Sequence, residues 1–332
     1  MTYSVGGTIQ ATDYNGFVST TVGANINATL GQAGTSTSGY GQGNVGTVSV
    51  AGTVTATQWA TLNAAITQMA SHSATAITSR ISPSAGNVIA VLSAVNTDIT
   101  NCYNNRNNAV SSGTQYKTWS GSAAKTSGTG SGTSAWTITW TQTMTFANAT
   151  AFYNFFNSGG VVKWRTSKTS TGTESDDEWN AMANTQGGVI YVTGAAASKT
   201  IASVAYTGTT RSGGSATATT LATATGAYAL VTGNTTLFKF FSPTSPYTGQ
   251  FIQLDARVDN ASTPTVITFT TVWTDPGGGA AGTTDNITGG TDTTSPLGSF
   301  GTAPATVLSY FPPETTYLTN TWGTPTIASS VA

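Results

Sequence analysis

The sequence predicts an α+β N-terminal module with two strand–helix repeats, followed by a β-rich body with the alternation of an antiparallel sandwich. Three observations carry that prediction. A short pattern occurs twice near the start, as GTIQATDYNGFV at 7–18 and GTVTATQWATLN at 52–63. Further on, Trp136 to Thr145 alternates between bulky residues and threonine. Of the 332 residues, only 7% are charged, while 10% are aromatic and 38 are glycine. Disordered chains are poor in aromatics and usually rich in charge, so this composition argues against simple disorder. The solvent face must instead be covered by Thr, Ser and Asn. Threonine is β-branched and suits a pleated surface.

In the first copy of the repeat, Thr8-Ile9-Gln10 reads as a short strand and Thr12 as a helix N-cap, with Tyr14, Phe17 and Val18 on one face. Gly16 and Gly23 weaken that helix, each by up to about 1 kcal/mol relative to alanine. In the second copy Thr57 takes the capping role. Trp59, Leu62, Ile66 and Met69 then form a stripe on a helix running to about Ser71. Neither unit can bury its apolar face alone. Tyr14 and Trp59 are therefore expected to pack each against the other unit's helix, as a pseudo-symmetric pair. The segment GQAGTSTSGYGQGNVG between them reads as a glycine-rich loop. A third helix follows Pro83, with Val88, Leu92, Val95, Ile99 and Cys102-Tyr103 on its buried face. This module is placed at residues 1–114.

The body is placed at 115–274. On its first long strand Trp136, Ile138, Trp140, Gln142, Met144 and Phe146 face one way and the intervening threonines the other. Asn148 caps a short helix that stops at Gly159-Gly160, and Val161 to Arg165 is a strand. Ser175 and Glu178 have the spacing of a capping box, and Asp176 and Asp177 complement a positive helix end. Gly187-Gly188 stops that helix before the strand VIYV. Further strands are expected at Leu237–Phe241, Phe251–Val258 and Val266–Thr274. Residues 275–332 read as an extended Thr/Gly/Pro-rich arm. Within it Tyr310, Phe311, Tyr317 and Leu318 want burial, and Pro312-Pro313 blocks a helix. Such a segment suits crossing onto a neighbouring subunit; the alternative is docking back on its own body.

Several classes of chemistry find no support. Eleven Lys and Arg against twelve Asp and Glu give a net charge of −1, with no basic patch for a row of phosphates, so nucleic acid is not expected as a partner. Cys102 is the single cysteine, so no intrachain disulfide forms. The opening MTYSVGGTIQ has neither a basic nor an apolar leader region, so synthesis in the cytoplasm is expected, and no apolar run is long enough for a membrane-spanning helix. Cys102 and His72 form no recognisable nucleophile pair, because a thiol on an apolar helix face is held inert. The acidic run ESDDE at 174–178 is explained by a helix N-terminus. No catalytic, cofactor-binding or metal-ligating residue is put forward. Exposed indoles stack on sugar rings, so Trp119, Trp164 and Tyr153 stand as sugar-binding candidates. Trp136 and Trp140 alternate with Ile138 and Met144 and read as core.

GTIQATDYNGFV, the SGYGQG after it and GTVTATQWATLNAAI resemble the N-terminal part of a group of structural proteins of tailed, cyanophage-like bacteriophages. MTFANATAFYNFFNSGGVVKWRTS, EWNAMANTQGGVIYV and GQFIQLDARV are similar to the same group's β-rich body. The match covers most of residues 1–274. It implies a structural component of the virion, in a tail, baseplate or fibre, working through self-assembly and contacts to other virion proteins. It supplies no catalytic residues. A homo-oligomer is expected, with a trimer favoured as the common solution for fibres. The alternatives are a carbohydrate-binding module on the host-facing side, with surface polysaccharide as its partner, and a decoration protein of the head or neck.

Overall fold

The N-terminal module is built of helices held by side-chain caps. In α1 (Ala11–Val18) Tyr14, Phe17 and Val18 are buried, and the Asp13 carboxylate accepts the Gln10 N–H at 3.2 Å. The single turn α2 (Ile26–Thr29) is capped by Asn25, whose side chain accepts from the Ala28 N–H. Helix α3 (Ala56–Ser73) opens on a capping box: the Thr55 hydroxyl accepts from the Gln58 N–H, and the Gln58 side chain accepts from the Thr55 N–H. Helix α4 (Leu92–Asn104) buries Val95, Ile99 and Cys102. The computed structural model describes residues 10–18, 24–31, 39–80, 84, 92–109, 123–124, 136–169, 174–245, 247–276 and 302–331.

Two sequence expectations are corrected here. Thr12 and Thr57 lie inside their helices and cap neither. Thr55 wins because Gln58 stands three residues on and can answer its backbone N–H; Thr57 has Ala60 at that position. The strand expected before α3 is also not formed. Ser49 O accepts the Gly52 N–H at 2.8 Å in a turn that carries Ala51 at φ 63°, and Thr55 is committed to the cap. In the first copy residues 7–9 lie outside the described residues. The helical halves of the repeat do meet. The Tyr14 and Trp59 rings lie 6.2 Å apart, Phe17 meets Trp59 edge-on at 6.1 Å, and the Tyr14 hydroxyl donates to Gln58 O.

Residues 39–55, which lead into α3, form neither helix nor strand and are held by two asparagines. Asn15 donates to Val48 O and accepts from Val48 N, each at 2.8 Å. Asn27 does the same to Val45, at 3.0 and 2.8 Å. Each side-chain amide thus stands in for a strand neighbour. Elsewhere in the module, Arg80 pairs with the buried Asp98 of α4, which also accepts the Thr78 N–H.

The body is antiparallel β-sheet. Its strands are β1 (Ala123–Ala124), β2 (Trp136–Thr145), β3 (Val161–Thr169), β4 (Val189–Val192), β5 (Lys199–Ile201), β6 (Val204–Tyr206), β7 (Thr209–Ser212), β8 (Ala218–Leu221), β9 (Thr235–Phe241), β10 (Phe251–Val258), β11 (Val266–Asp275), β12 (Thr302–Phe311) and β13 (Thr326–Val331). One sheet has the order β1-β12-β3-β4-β7 and the other β13-β2-β11-β10-β9-β8, while β5 and β6 form a separate hairpin. Between β2 and β3 lies α5 (Ala149–Asn157); between β3 and β4 lies α6 (Glu174–Ala181), continued by a wider turn over Met182–Gln186. On β2, Ile138, Trp140, Gln142 and Met144 are buried and the threonines half-buried or exposed, as the alternation predicts. Beyond the strand, Phe146 is buried on the same side.

Inner faces of the two sheets meet through Trp164 of β3, whose ring contacts Phe238 of β9 at 6.2 Å. Helix α5 is buried from Ala151 to Asn157. Asn148 caps it by accepting the Ala151 N–H at 2.9 Å, and Phe152, Phe155 and Phe156 pack around Phe146 at 5.2–6.1 Å. Ser175 does not cap α6, because the helix already includes Glu174. Nor does Glu178 reach back: its carboxylate is buried and accepts from Ser242 Oγ at 2.6 Å and Gln186 Nε2 at 3.0 Å. Those partners bind it more fully than an exposed helix end would.

The expected C-terminal arm is corrected as well. Residues 277–301 lie outside the described residues, and two segments beyond them, Thr302–Phe311 and Thr326–Val331, are strands of the chain's own sheets. β12 pairs with β3, from Thr302 opposite Thr169 to Phe311 opposite Val161, and β13 pairs with β2, from Thr326 opposite Thr145 to Val331 opposite Trp140. The connection between them docks on the N-terminal module. Gln42 exchanges hydrogen bonds with the Thr319 backbone, Gln68 donates to Tyr317 O, and Thr321 Oγ1 donates to Tyr40 O. Among the described residues, no helix is long and apolar enough to cross a membrane.

Candidate functional site

Most of the residues singled out from sequence that the structure describes lie in the core. Trp164 is 1% exposed and is closed over by the facing sheet. Tyr153 is buried on α5, with its hydroxyl donating to Ser262 O at 3.3 Å. Neither presents a face to a sugar, and Trp119 lies outside the described residues. The expected sugar platform is therefore not formed by Trp164 and Tyr153, because the apolar demand of α5 and of the inter-sheet space claims both rings. The expected assembly contacts are likewise spent inside the chain. Tyr310 is buried and donates to Pro325 O at 2.9 Å, Leu318 is buried, and Phe311 is half-buried. Tyr317 alone of the four is exposed, at 36%.

His72 and Cys102 are both fully buried. The His72 ring meets Tyr40 edge-on at 4.7 Å. Burial pulls its pKa down to about 4, against the smaller opposing pulls of the Ser158 backbone and Glu314. Burial pushes the Cys102 thiol up to about 11, which leaves it protonated and unreactive at neutral pH. Among the described residues no group of three or more His, Cys, Asp or Glu is gathered in a way that would hold a metal ion.

Local sequence signals missed one concave feature. A cavity of about 430 Å³ opens where α3 and α4 end beside the β5–β6 hairpin. The capping residue Ala74 turns left-handed at φ 54° and closes α3. The chain after α4 runs through Asn105 and Asn108 to Ala109, which makes a parallel bridge to Ile201 of β5. The hairpin turns through Ala202 and Ser203 at φ 49° and 67°. Ser73, Asn105, Asn108, Thr200 and Ser203 supply the polar lining. Behind this wall Lys199 is fully buried and donates to Phe156 O at 3.3 Å, in the last turn of α5. A cation there is favoured by the helix dipole, but burial pulls its pKa down to about 8, with a further contribution from Arg106. The polar lining was not legible because it is assembled from three distant segments of unremarkable residues.

The chain matches no protein-family model, no curated protein and no solved structure.

Proposed function

We propose that the chain is a structural subunit of a tailed-phage virion, in the tail, baseplate or fibre, and that it acts by self-assembly. The body is then a sandwich-like block whose outer sheet face meets a second copy of the chain. The observation that carries this reading is that face. On β2 it presents Thr137, Thr139, Thr141, Thr143 and Thr145. In register beside them stand Thr268, Thr270, Val272 and Thr274 of β11, and Thr326, Ala328 and Ser330 of β13. Across three adjacent strands the outward side chains carry no charge, and their methyl groups alternate with hydroxyls.

Such a face suits like-with-like contact for two reasons. Identical charged surfaces repel, and this one has no charge to repel with. Threonine also offers a short methyl for packing and a hydroxyl that both donates and accepts, so two copies can satisfy one another. The N-terminal module, α5 and the connection between β12 and β13 are joined by side-chain bonds such as Asn157 Nδ2 to Gly39 O and Asn154 Nδ2 to Thr321 O. That suits a rigid building block. The resemblance of the repeat and of the body to virion proteins points the same way.

The test has two parts. Thr141 and Thr270 stand directly opposite one another. Light scattering on the purified chain should show an oligomer, and Thr141→Lys with Thr270→Lys should reduce it to a monomer that still unfolds cooperatively, at a somewhat lower temperature because the two lysines repel across the strand pair. Mass spectrometry of purified particles should find the chain in stoichiometric amount. A wild-type monomer that is absent from particles sinks the proposal.

A further inference from the structure

We propose that the cavity between the ends of α3 and α4 and the β5–β6 hairpin binds a neutral saccharide unit. Its volume of about 430 Å³ lies in the range of small-ligand sites. Its lining selects the chemistry. Five of the eight lining residues carry a hydroxyl or an amide, the other three are alanines, and none is charged or aromatic. An apolar ligand would leave those polar groups unpaired on binding, at a cost of about 1–3 kcal/mol for each buried group. An ionic ligand finds no counter-charge in the lining. A ring of hydroxyls, each able to donate and to accept, matches a wall of amides and hydroxyls.

The donors and acceptors are held in place and left available. Asn108 Oδ1 accepts the Thr200 N–H at 2.8 Å, which fixes the amide and leaves its Nδ2 without a partner among the described residues. Asn105 Nδ2 donates to Thr75 Oγ1 at 3.2 Å, which leaves Asn105 Oδ1 free in the same sense. Thr75 is held in turn by Ser73, with the hydroxyl oxygens 2.7 Å apart.

Backbone conformation shapes the mouth of this cavity. Of the four non-glycine residues with positive φ among the described residues, Ala74, Ala202 and Ser203 line this one cavity. Ala74 is the left-handed cap of α3, and Ala202 and Ser203 form the two-residue loop of the β5–β6 hairpin, so the mouth is framed by a helix end and a tight turn. This site is separate from the threonine face, and its occupancy does not depend on assembly.

The experiment is a saturation-transfer NMR titration of the full chain against glucose, galactose, mannose and N-acetylglucosamine, with glucuronate as the acidic arm. At least one neutral sugar is expected to give saturable transfer at millimolar concentration. Thr200→Val removes a hydroxyl without changing shape, and Ser203→Tyr fills the cavity; both should weaken that binding at least tenfold while circular dichroism and melting stay unchanged. Glucuronate should bind no better than the neutral sugars. The proposal is overturned if no neutral sugar saturates, if both variants bind as the parent does, or if glucuronate alone binds. An oligomer with an empty cavity would leave the assembly proposal standing, and a sugar-binding monomer would do the reverse.

Discussion

Trp164 donates its indole N–H to Thr271 Oγ1 at 2.8 Å, across the space between the two sheets. Thr271 Oγ1 lies 3.2 Å from Thr306 Oγ1, and Thr306 reaches Gln142 Oε1 at 3.4 Å. All four side chains are buried, and they come from β3, β11, β12 and β2. Polar groups on an otherwise apolar inner face are costly unless paired, so this chain fixes how the sheets sit on one another.

Removing the ring should cost more than removing its partner. Trp164→Ala should destabilise the chain by about 3–5 kcal/mol, the usual range for truncating a buried tryptophan. Thr271→Val keeps the shape but leaves the indole N–H unpaired, and should cost about 1–3 kcal/mol. Urea unfolding monitored by tryptophan fluorescence reads both. A Thr271→Val chain as stable as the parent would show that the inter-sheet bond contributes nothing.

His72 makes folding sensitive to acid. Its pKa is about 6.5 in the unfolded chain and about 4 in the folded one, because burial disfavours the charged ring. Between those values the unfolded state binds more protons than the folded state. Stability from this group is therefore fully present above pH 6.5 and is lost as pH falls through the window toward 4, at up to about 1.4 kcal/mol per pH unit. Urea midpoints measured from pH 7 to 4 should fall along this slope, and His72→Gln should flatten it. An equal slope in both proteins would assign the acid sensitivity to other groups.

Cys102 should behave as a core residue. With its thiol pushed up to about 11 and its side chain fully buried, it should resist iodoacetamide at pH 8 in the native chain and react on unfolding in urea. Labelling followed by intact mass spectrometry decides this. Rapid native labelling would mean that α4 opens readily.

What was legible in the sequence was local. The β2 alternation, the Trp59–Met69 stripe and the Asn148 cap each depend on residues within a turn or a strand of one another, and each is present. The Thr55 cap is equally local, since Gln58 stands at the answering position, whereas the repeat pattern alone favours Thr57. The environments of Trp164 and Glu178 are not local. Their partners, Thr271 and Ser242, lie 107 and 64 residues away. A tryptophan in a short alternating run looks the same whether its sheet is covered or bare. The cavity was invisible for the same reason: Ser73, Asn108 and Thr200 become neighbours only after folding.

The C-terminal segment provides the sharpest contrast between sequence and fold. Its prolines and its thin apolar content suggested an arm in search of a partner. Instead β12 lies between β1 and β3 within its sheet, and β13 covers the free edge of β2. Removing residues 302–332 would strip β3 of its Thr302–Phe311 partner and expose the buried side of Leu308 and Tyr310's neighbours in the core. It would also take away Trp322, which is 1% exposed. A chain truncated before Thr302 should therefore lose cooperative thermal unfolding altogether, and near-ultraviolet circular dichroism should collapse with it. Truncation only of β13, before Thr326, should be milder, because Tyr310, Leu318 and Trp322 remain. Its melting transition should stay cooperative at a lower temperature. If the longer truncation instead melts like the parent and loses only its oligomeric state, the segment works between subunits and the pairing of β12 with β3 occurs between copies.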